Sequence, residues 1–465
     1  MVQRATDGSR QGPLQQARRC ELRHDWIGAA AAYAQLQAQH PADPRPLINQ
    51  GHALWQADLP AAALRCYGRA LQLEASHPLV LCGLGHCCLD LREFEAAEGH
   101  YAQADGPQAR WGRSQVLIGL ERYGEAYLDA EDRRLLSDWT PFLPGPWWGG
   151  HLSLDALDPA ADLVVWSEQG YGDTLQYLRW LPALADRRDR QAEALGCRST
   201  PITVAVEANL VRLLSEGLAW LDTPPRVLAK AEVLQTADHG VPHGPLMSLP
   251  HQLGGAPLPV PCMGEGSNRF ALHSPLWGDA SGRGGAVLLP ATDSTEATSH
   301  PAAPRVGLVW ASGRKIDDPF THREYRKRSL PPAALLQLLE GLQQAGAQLI
   351  SLQYGNDEQQ AAALGFPLPL PRLGLGDFAA TARVVAQLDL VISVDTAMAH
   401  LVGAMGAPGW VLLPWSADPR WLRDRSDSPW YPSLRLFRQP STGSWRQAID
   451  GLLRAYHGQF GADAG

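Results

Sequence analysis

The stretch LVISVDTAMAHLVGAMGAP, Leu390 to Pro408, decides the reading of the fold. An apolar run of β-branched residues ends at Ser393. Asp395 and Thr396 follow, and a small-residue segment carrying His400 begins at once. A short apolar run closed by a polar pair reads as a buried strand ending in a helix start. Gly406 stops that helix, and GWVLLP supplies the next strand. The free N–H groups at the helix start aim at whatever lies above the strand ends. Thr396 has a hydroxyl to offer a phosphate oxygen. His400 lies one helical turn further on the same face. Ala397, Ala399, Gly403, Ala404 and Gly406 let the helix sit close on a sheet. A capped core helix with a hydrogen-bonded histidine accounts for the same residues without a ligand.

Working outward, the pattern repeats. RVGLVWAS, QLISLQYG and DLVISV read as strands. PPAALLQLLEGLQQAG, DFAATARVVAQL and the final WRQAIDGLLRAYHG read as helices. Upstream, DLVVWSE and PITVAVEA are strands, and TLQYLRWLPALA and NLVRLLSEGL are helices. Alternation of this kind implies parallel α/β sheets. Two such series suggest two halves with a ligand cleft at the carboxyl ends of their strands. The expected boundaries are 160–275 for the first half, 276–303 for a polar, Gly- and Ser/Thr-rich joint, and 304–457 for the second half.

Residues 15–135 are different. Shifted by 34 positions, the sequence matches itself: Ala29, Ala63 and Ala97 align, as do Tyr33, Tyr67 and Tyr101, and Gly51, Gly85 and Gly119. Ala70 and Ala104 also align. This is the period of a two-helix unit in which small residues admit an aromatic plug, and it looks like tetratricopeptide repeats. The first unit lacks a clear leading helix, and the last is shortened. Such units stack into a solenoid that docks extended protein segments, or serves only as a spacer or dimerisation arm. Residues 136–159 form a Pro/Trp-rich linker in which helix cannot persist, and its aromatics are expected to dock on a neighbouring domain.

With 465 residues the chain has room for about three domains. A net charge of −8 argues against nucleic acid or an anionic membrane as partner. Neither a membrane span nor a secretion signal is apparent, so the expected location is cytoplasmic. Seven cysteines include Cys82, Cys87 and Cys88 beside His86, which read as buried thiols within a repeat, and Cys262 near the joint.

Two further segments carry candidate chemistry. WSEQGYGDTLQYLRWLPAL, Trp166 to Leu184, ends a strand in a Gly170-x-Gly172-Asp173 turn. Its glycines permit positive φ and close ligand approach, and Asp173 sits where it faces the cleft. Asp173 with Gln176 also makes a capping box. ASGRKIDDPFTHREYRKRSL, Ala311 to Leu330, reads as a loop beyond a strand. It bears Arg314, Lys315, Arg323, Arg326, Lys327 and Arg328 against Asp317, Asp318 and Glu324. Its cations suit a diphosphate, or the segment is a solvated charged loop.

GYGDTLQYLRWLPAL together with DLVISVDTAMAHLVGAMGAPGWVLLP resembles glycosyltransferase family nine, the heptosyltransferase type. MSLP, VGLVW, KRSL, SLQ and DSPWYPSLRLFRQ add to the likeness, which is nearest to bacterial proteins that fuse tetratricopeptide repeats to such a domain. The resemblance implies a helical repeat solenoid followed by a GT-B fold of two Rossmann-like domains, and hexosyl or heptosyl transfer from a nucleotide-sugar. It implies no metal, and no cofactor besides that donor. Asp173 takes the place of the catalytic base. Gly170, Gly172, Lys327 or Arg328, Gln353, Glu358, Asp395, Thr396 and His400 fall at nucleotide-sugar positions. Ala397 stands where the family has Gly, and the 311–330 segment is longer than in relatives. The implied function is a metal-independent inverting glycosyltransferase acting on a protein or glycan acceptor recruited by the repeats. The alternative is a non-catalytic repeat scaffold with a degenerate transferase domain.

Overall fold

The structure is a computed structural model that describes residues 3–74, 76–148, 153–238, 240–253, 303–313, 318–369 and 376–461. Nearly all of the expected joint (276–302), Cys262, Arg314, Lys315 and Asp317 lie outside the described residues. Contacts divide the chain into two units. The first comprises Met1–Trp139 with Arg314–Lys327 and Ser416–Arg423; the second comprises Thr140–Gly313, Arg328–Trp415 and Asp424–Gly465. Linear boundaries therefore miss two short segments of the second α/β series, which pack with the amino-terminal helices.

The first unit opens with eight helices: α1 (Gln3–Leu22), α2 (Trp26–Gln39), α3 (Arg45–Gln56), α4 (Pro60–Leu73), α5 (Pro78–Asp90), α6 (Phe94–Gln103), α7 (Pro107–Gly119) and α8 (Tyr123–Ala130). Each packs on the next. The leading helix that the sequence does not announce is α1, which runs through Pro13. The aligned glycines meet the aligned tyrosines as the spacing predicts. A Cβ on Gly51 would lie 2.9 Å from the Tyr67 ring, and one on Gly85 2.7 Å from the Tyr101 ring. At Gly119 the plug is Phe94 instead, whose ring a Cβ would overlap. A second periodic feature is carried by the backbone. His24, Asp58, Arg92 and Glu121 all have positive φ, at 56°, 62°, 65° and 60°. Each follows an odd-numbered helix, whose end is closed by a bond from the next N–H back across the turn, such as Leu59 N to Leu54 O and Glu93 N to Cys88 O. Cys82, Cys87 and Cys88 are buried, and burial pushes their thiol pKa values upward, Cys88 to about 11.

The second unit contains two parallel sheets. Chain order after the linker is β1 (Val164–Trp166), α9 (Tyr171–Tyr177), α10 (Leu181–Ala194), β2 (Thr203–Val206), α11 (Ala208–Gly217), β3 (Arg226–Ala229), α12 (Lys230–Thr236), β4 (His243–Pro245) and α13 (Leu249–Gln252). It continues with β5 (Arg305–Val309), α14 (Pro319–Arg328), α15 (Pro332–Gln344), β6 (Gln348–Ser351), α16 (Gln360–Ala363), α17 (Phe378–Val385), β7 (Leu390–Val394), α18 (Ala397–Ala404), β8 (Gly409–Leu413), β9 (Leu434–Arg438) and α19 (Trp445–Phe460). Of these, α14 as far as Lys327 belongs to the first unit.

The first lobe has strand order β3-β2-β1-β4 and the second β6-β5-β7-β8-β9, all parallel. The central strands β7 and β8 are buried at every position, as their uninterrupted apolar runs require in a sheet covered on both faces. The linker docks as expected. Trp148 is fully buried, its backbone N–H donates to the His243 carbonyl at 3.1 Å, and a Cβ on Gly244 would overlap its indole.

Candidate functional site

In each lobe the order of strands reverses beside one strand, between β1 and β4 in the first and between β5 and β7 in the second. Ligands of open α/β sheets bind above such switch points, at the carboxyl ends of the strands. The two corners singled out by sequence lie there: Gly170 to Asp173 after β1, and Asp395 to His400 after β7.

These corners meet. α9 packs against α18, and a Cβ built on Gly172 would stand 2.7 Å from His400 Cδ2 and 3.2 Å from its Nε2. Gly172 is therefore a position where any side chain would strike the imidazole. Of the two reasons the sequence offers for these glycines, positive φ does not apply: Gly170 has φ −68° and Gly172 is not among the positive-φ glycines. At Gly172 it is the close approach of His400 that requires glycine. The capping box is also not formed. Gly170 is the N-cap of α9, and Asp173 sits in the first turn, half-buried, with Gln176 buried behind it. Asp173 is thus placed on the corner without serving as the cap.

At the second corner Asp395 is buried and Thr396 is the N-cap of α18, its Oγ1 accepting from Met398 N at 3.2 Å. Ser393 Oγ lies 3.2 Å from the same Oγ1. His400 is 3% exposed, and its Nδ1 is 2.9 Å from the Tyr431 hydroxyl. Tyr431 is itself seated by contact with Gly403, where a Cβ would overlap its ring, and by the Arg179 guanidinium, 5.0 Å from its ring centre. Sequence reasoning missed Tyr431 and Arg179 as parts of this corner. The signal was available in WYP of DSPWYPSLRLFRQ, an aromatic pair bounded by proline.

The cations of the 311–330 segment separate. Where the sequence suggests a loop, residues 319–328 form a helix, because apolar and charged side chains find partners on one side of it. Arg323 is 1% exposed. Its guanidinium carbon lies 4.3 Å from the Trp55 ring centre, its Nε donates to Trp55 O at 2.9 Å, and its NH2 reaches Asp90 at 2.5 Å. Arg326 donates to Gln56 O at 2.8 Å. Both carbonyls belong to the last turn of α3, where cations are favoured. Lys327 pairs with Asp90 and Glu324, each at 3.2 Å. Burial pushes the Asp90 pKa upward, but Lys327 and Arg323 outweigh it and hold the carboxyl at about 2. Arg328 alone of the described cations in this segment stands at the second corner, with NH1 3.4 Å from Asp395 O and 3.9 Å from its Oδ2. It is held there because Ser329 Oγ accepts from Ser312 N at 3.0 Å and Leu330 N donates to Trp310 O at 2.9 Å, fixing the segment against the end of β5.

Gln353 and Glu358 follow β6. Gln353 is buried. Its Oε1 accepts from Trp310 N and Ala311 N at 3.0 and 2.9 Å, and its Nε2 donates to Ala311 O and Tyr354 O at 3.3 and 3.2 Å. Those bonds tie the ends of β5 and β6 together. Glu358 accepts from Gly355 N at 2.9 Å and closes a turn. In the first lobe, a chain of polar contacts crosses the strand ends: Ser167 Oγ to Glu207 at 2.8 Å and Lys230 to Glu207 at 2.8 Å. Between the lobes, Arg383 pairs with Glu216 at 3.2 Å and Arg212 with Asp377 at 2.6 Å. Among the described residues there is no group of acidic, His and Cys side chains arranged to hold a metal, and no helix is long and apolar enough to cross a membrane.

No protein-family model matches the chain. It is 27% identical over 393 residues to Protein FlbA of Caulobacter vibrioides; the match covers 79% of this chain and 59% of that protein, so the chain spans about three-fifths of the relative's length. Among solved structures it is similar to the E. coli heptosyltransferase WaaC with ADP, at 17% identity and a TM-score of 0.35 over 64% of this chain and 99% of that one. It is also similar to a family 9 glycosyl transferase from Veillonella parvula, at 11% identity and a TM-score of 0.39 over 65% and 99% of the two chains. A mutant O-GlcNAc transferase from Thermobaculum terrenum matches at 12% identity and a TM-score of 0.30 over 98% and 94%.

Proposed function

We propose that the second unit is a glycosyltransferase that moves a sugar from a nucleotide-sugar to a protein or glycan acceptor, with inversion and without a metal. The observation that carries this reading is the contact of Gly172 with His400, which sets two strand-to-helix corners face to face above two switch points. One corner offers a carboxylate. The other offers a capped helix N-terminus and an arginine, a donor set suited to a diphosphate.

In this reading the diphosphate lies at the start of α18, with Arg328 neutralising charge as the leaving group departs. Lys327, engaged by Asp90 and Glu324, is not the cation for this task. Asp173 accepts the proton of the acceptor hydroxyl as that oxygen attacks the anomeric carbon and the bond to the phosphate breaks. The repeats recruit the acceptor. Asp173→Asn is expected to retain nucleoside-diphosphate binding and to lose transfer by about 10²–10⁴-fold, read by mass spectrometry of the acceptor. Turnover at the unaltered rate in that variant would refute the role of Asp173.

A second reading is a scaffold that binds but does not transfer. It is favoured by the engagement of Lys327 in the first unit and by Ala397 at the phosphate corner. Stabilisation by nucleoside diphosphates, with no sugar release or transfer from any of a panel of nucleotide-sugars, would select it.

A further inference from the structure

Tyr354 is 73% exposed, and among the described residues it is the only large apolar side chain exposed in the second lobe. A lone exposed aromatic is ordinary on a protein surface. The setting of this one is not. It directly follows the strand end of β6, and its backbone is pinned on both sides. Upstream, the Gln353 side chain spans β5 and β6 and donates to the Tyr354 carbonyl itself at 3.2 Å. Downstream, Gly355 takes φ +89°, and its N–H is held by Glu358. A rigid backbone thus presents a ring to solvent at the carboxyl end of the sheet.

The sheet order fixes where that ring stands relative to the phosphate corner. β6 pairs with β5, and β5 pairs with β7. Two strand spacings, about 10 Å, separate the end of β6 from the end of β7, where Thr396 starts α18. A nucleotide held by its phosphates at α18 extends its sugar and base across the strand ends. On the β8 side Trp415 follows the strand end but is only partly exposed, so β6 is the side that offers a largely exposed aromatic face.

We propose that Tyr354 is the stacking platform for the planar base of a nucleotide whose phosphates sit at the Thr396 and Arg328 corner. This rests on the reading that the corner takes a nucleoside diphosphate, and adds a base subsite to it. Stacking tolerates any base, because every base has a π-face, so Tyr354 supplies affinity while selection among bases falls to other groups.

The test is calorimetric titration of the whole chain with ADP, UDP, GDP and CDP, and with inorganic pyrophosphate, directly or as a competitor. Tyr354→Ala should weaken the nucleoside diphosphate that the unaltered chain binds by roughly 5- to 100-fold. Tyr354→Phe and Tyr354→Trp should keep that affinity, and pyrophosphate should respond equally to all four chains. Thermal unfolding of Tyr354→Ala checks that the fold is retained, as expected for an exposed ring. Unchanged nucleotide affinity in Tyr354→Ala, or equal weakening of nucleotide and pyrophosphate, overturns the platform and leaves the proposed function standing. Failure of the unaltered chain to bind any of the nucleotides overturns both.

Discussion

At the residue scale, Gly172 is the tightest test of the site. A methyl group there meets an imidazole that Tyr431 holds in place, so the ring cannot swing away cheaply. Gly172→Ala is expected to cost about 1–3 kcal/mol of stability, the range for forcing a methylene into a packed contact. Urea denaturation measures it, and an unchanged midpoint would show that the corners are not in contact. Thr396 makes a different contribution. Its Oγ1 satisfies one helix N–H, and Thr396→Ala should cost about 1 kcal/mol while Thr396→Ser costs little. A loss of nucleoside-diphosphate binding far beyond that stability change would mark the hydroxyl as a ligand as well as a cap.

At the scale of the element, α14 shows why charge in a sequence does not identify what it meets. Arg323 joins several partners at once: the indole face of Trp55, the Trp55 carbonyl in the last turn of α3, and the carboxylates of Asp90, Asp58 and Glu324. Asp90 also accepts from Trp55 Nε1 at 2.7 Å, so the cluster is closely satisfied. Removing one member of a buried ionic cluster leaves the rest undercompensated: Arg323→Met leaves Asp90 with Lys327 as its charge partner and is expected to destabilise the first unit by about 3 kcal/mol. The double variant Asp90→Leu with Arg323→Met removes both charges, leaves Lys327 with Glu324 as its carboxylate partner, and should recover part of that loss. If the double variant is as unstable as the sum of the single ones, the pair acts through something other than mutual compensation, and a double-mutant cycle in urea decides it.

At the scale of the whole molecule, acid stability should be set within the first unit. His86 is buried beside Asp90, Arg323 and His52, and burial is the main reason its pKa falls to about 4. The unfolded chain takes up its proton near pH 6.5, while the folded chain resists until about pH 4. The stability that comes from keeping His86 neutral is therefore complete above pH 6.5 and is lost as pH falls toward 4. The loss is of order 3 kcal/mol. Asp90, held at about 2, adds a second decline between about pH 4 and 2. His86→Phe should flatten the upper decline and leave the lower one. Denaturation midpoints measured from about pH 8 to 2 test this, and an unchanged slope between 6.5 and 4 in that variant would assign the decline to other groups.

The elements of the second unit were largely legible because each burial pattern is local. β7 and α18 can be read from Leu390 to Gly406 alone, since an uninterrupted apolar run, a hydroxyl cap and a terminal glycine with φ +66° all act within a few residues. The 34-residue period likewise exposed the glycine–tyrosine contacts at Gly51 and Gly85. β3 and β4 were not legible, because four and three residues of mixed polarity leave no periodic signal. The leading helix α1 was hidden by its glycines and proline. The candidate site was legible as two corners. Which cation stands beside Asp395 was not, because Lys327 and Arg328 are adjacent in sequence and differ only in what surrounds them.

The sequence by itself determined most of the succession of helices and strands, α1, α14, β3 and β4 apart, the aromatic plugs of the repeats, and the two turns that carry Asp173 and Thr396. Those follow from interactions within a turn or a repeat period. Only the tertiary structure decided that Gly172 abuts His400, that the Tyr431 hydroxyl bonds that ring, and that Arg323 and Lys327 pair with Asp90. Each depends on side chains tens to hundreds of residues apart, whose meeting is fixed by packing and by the need to pair buried charge.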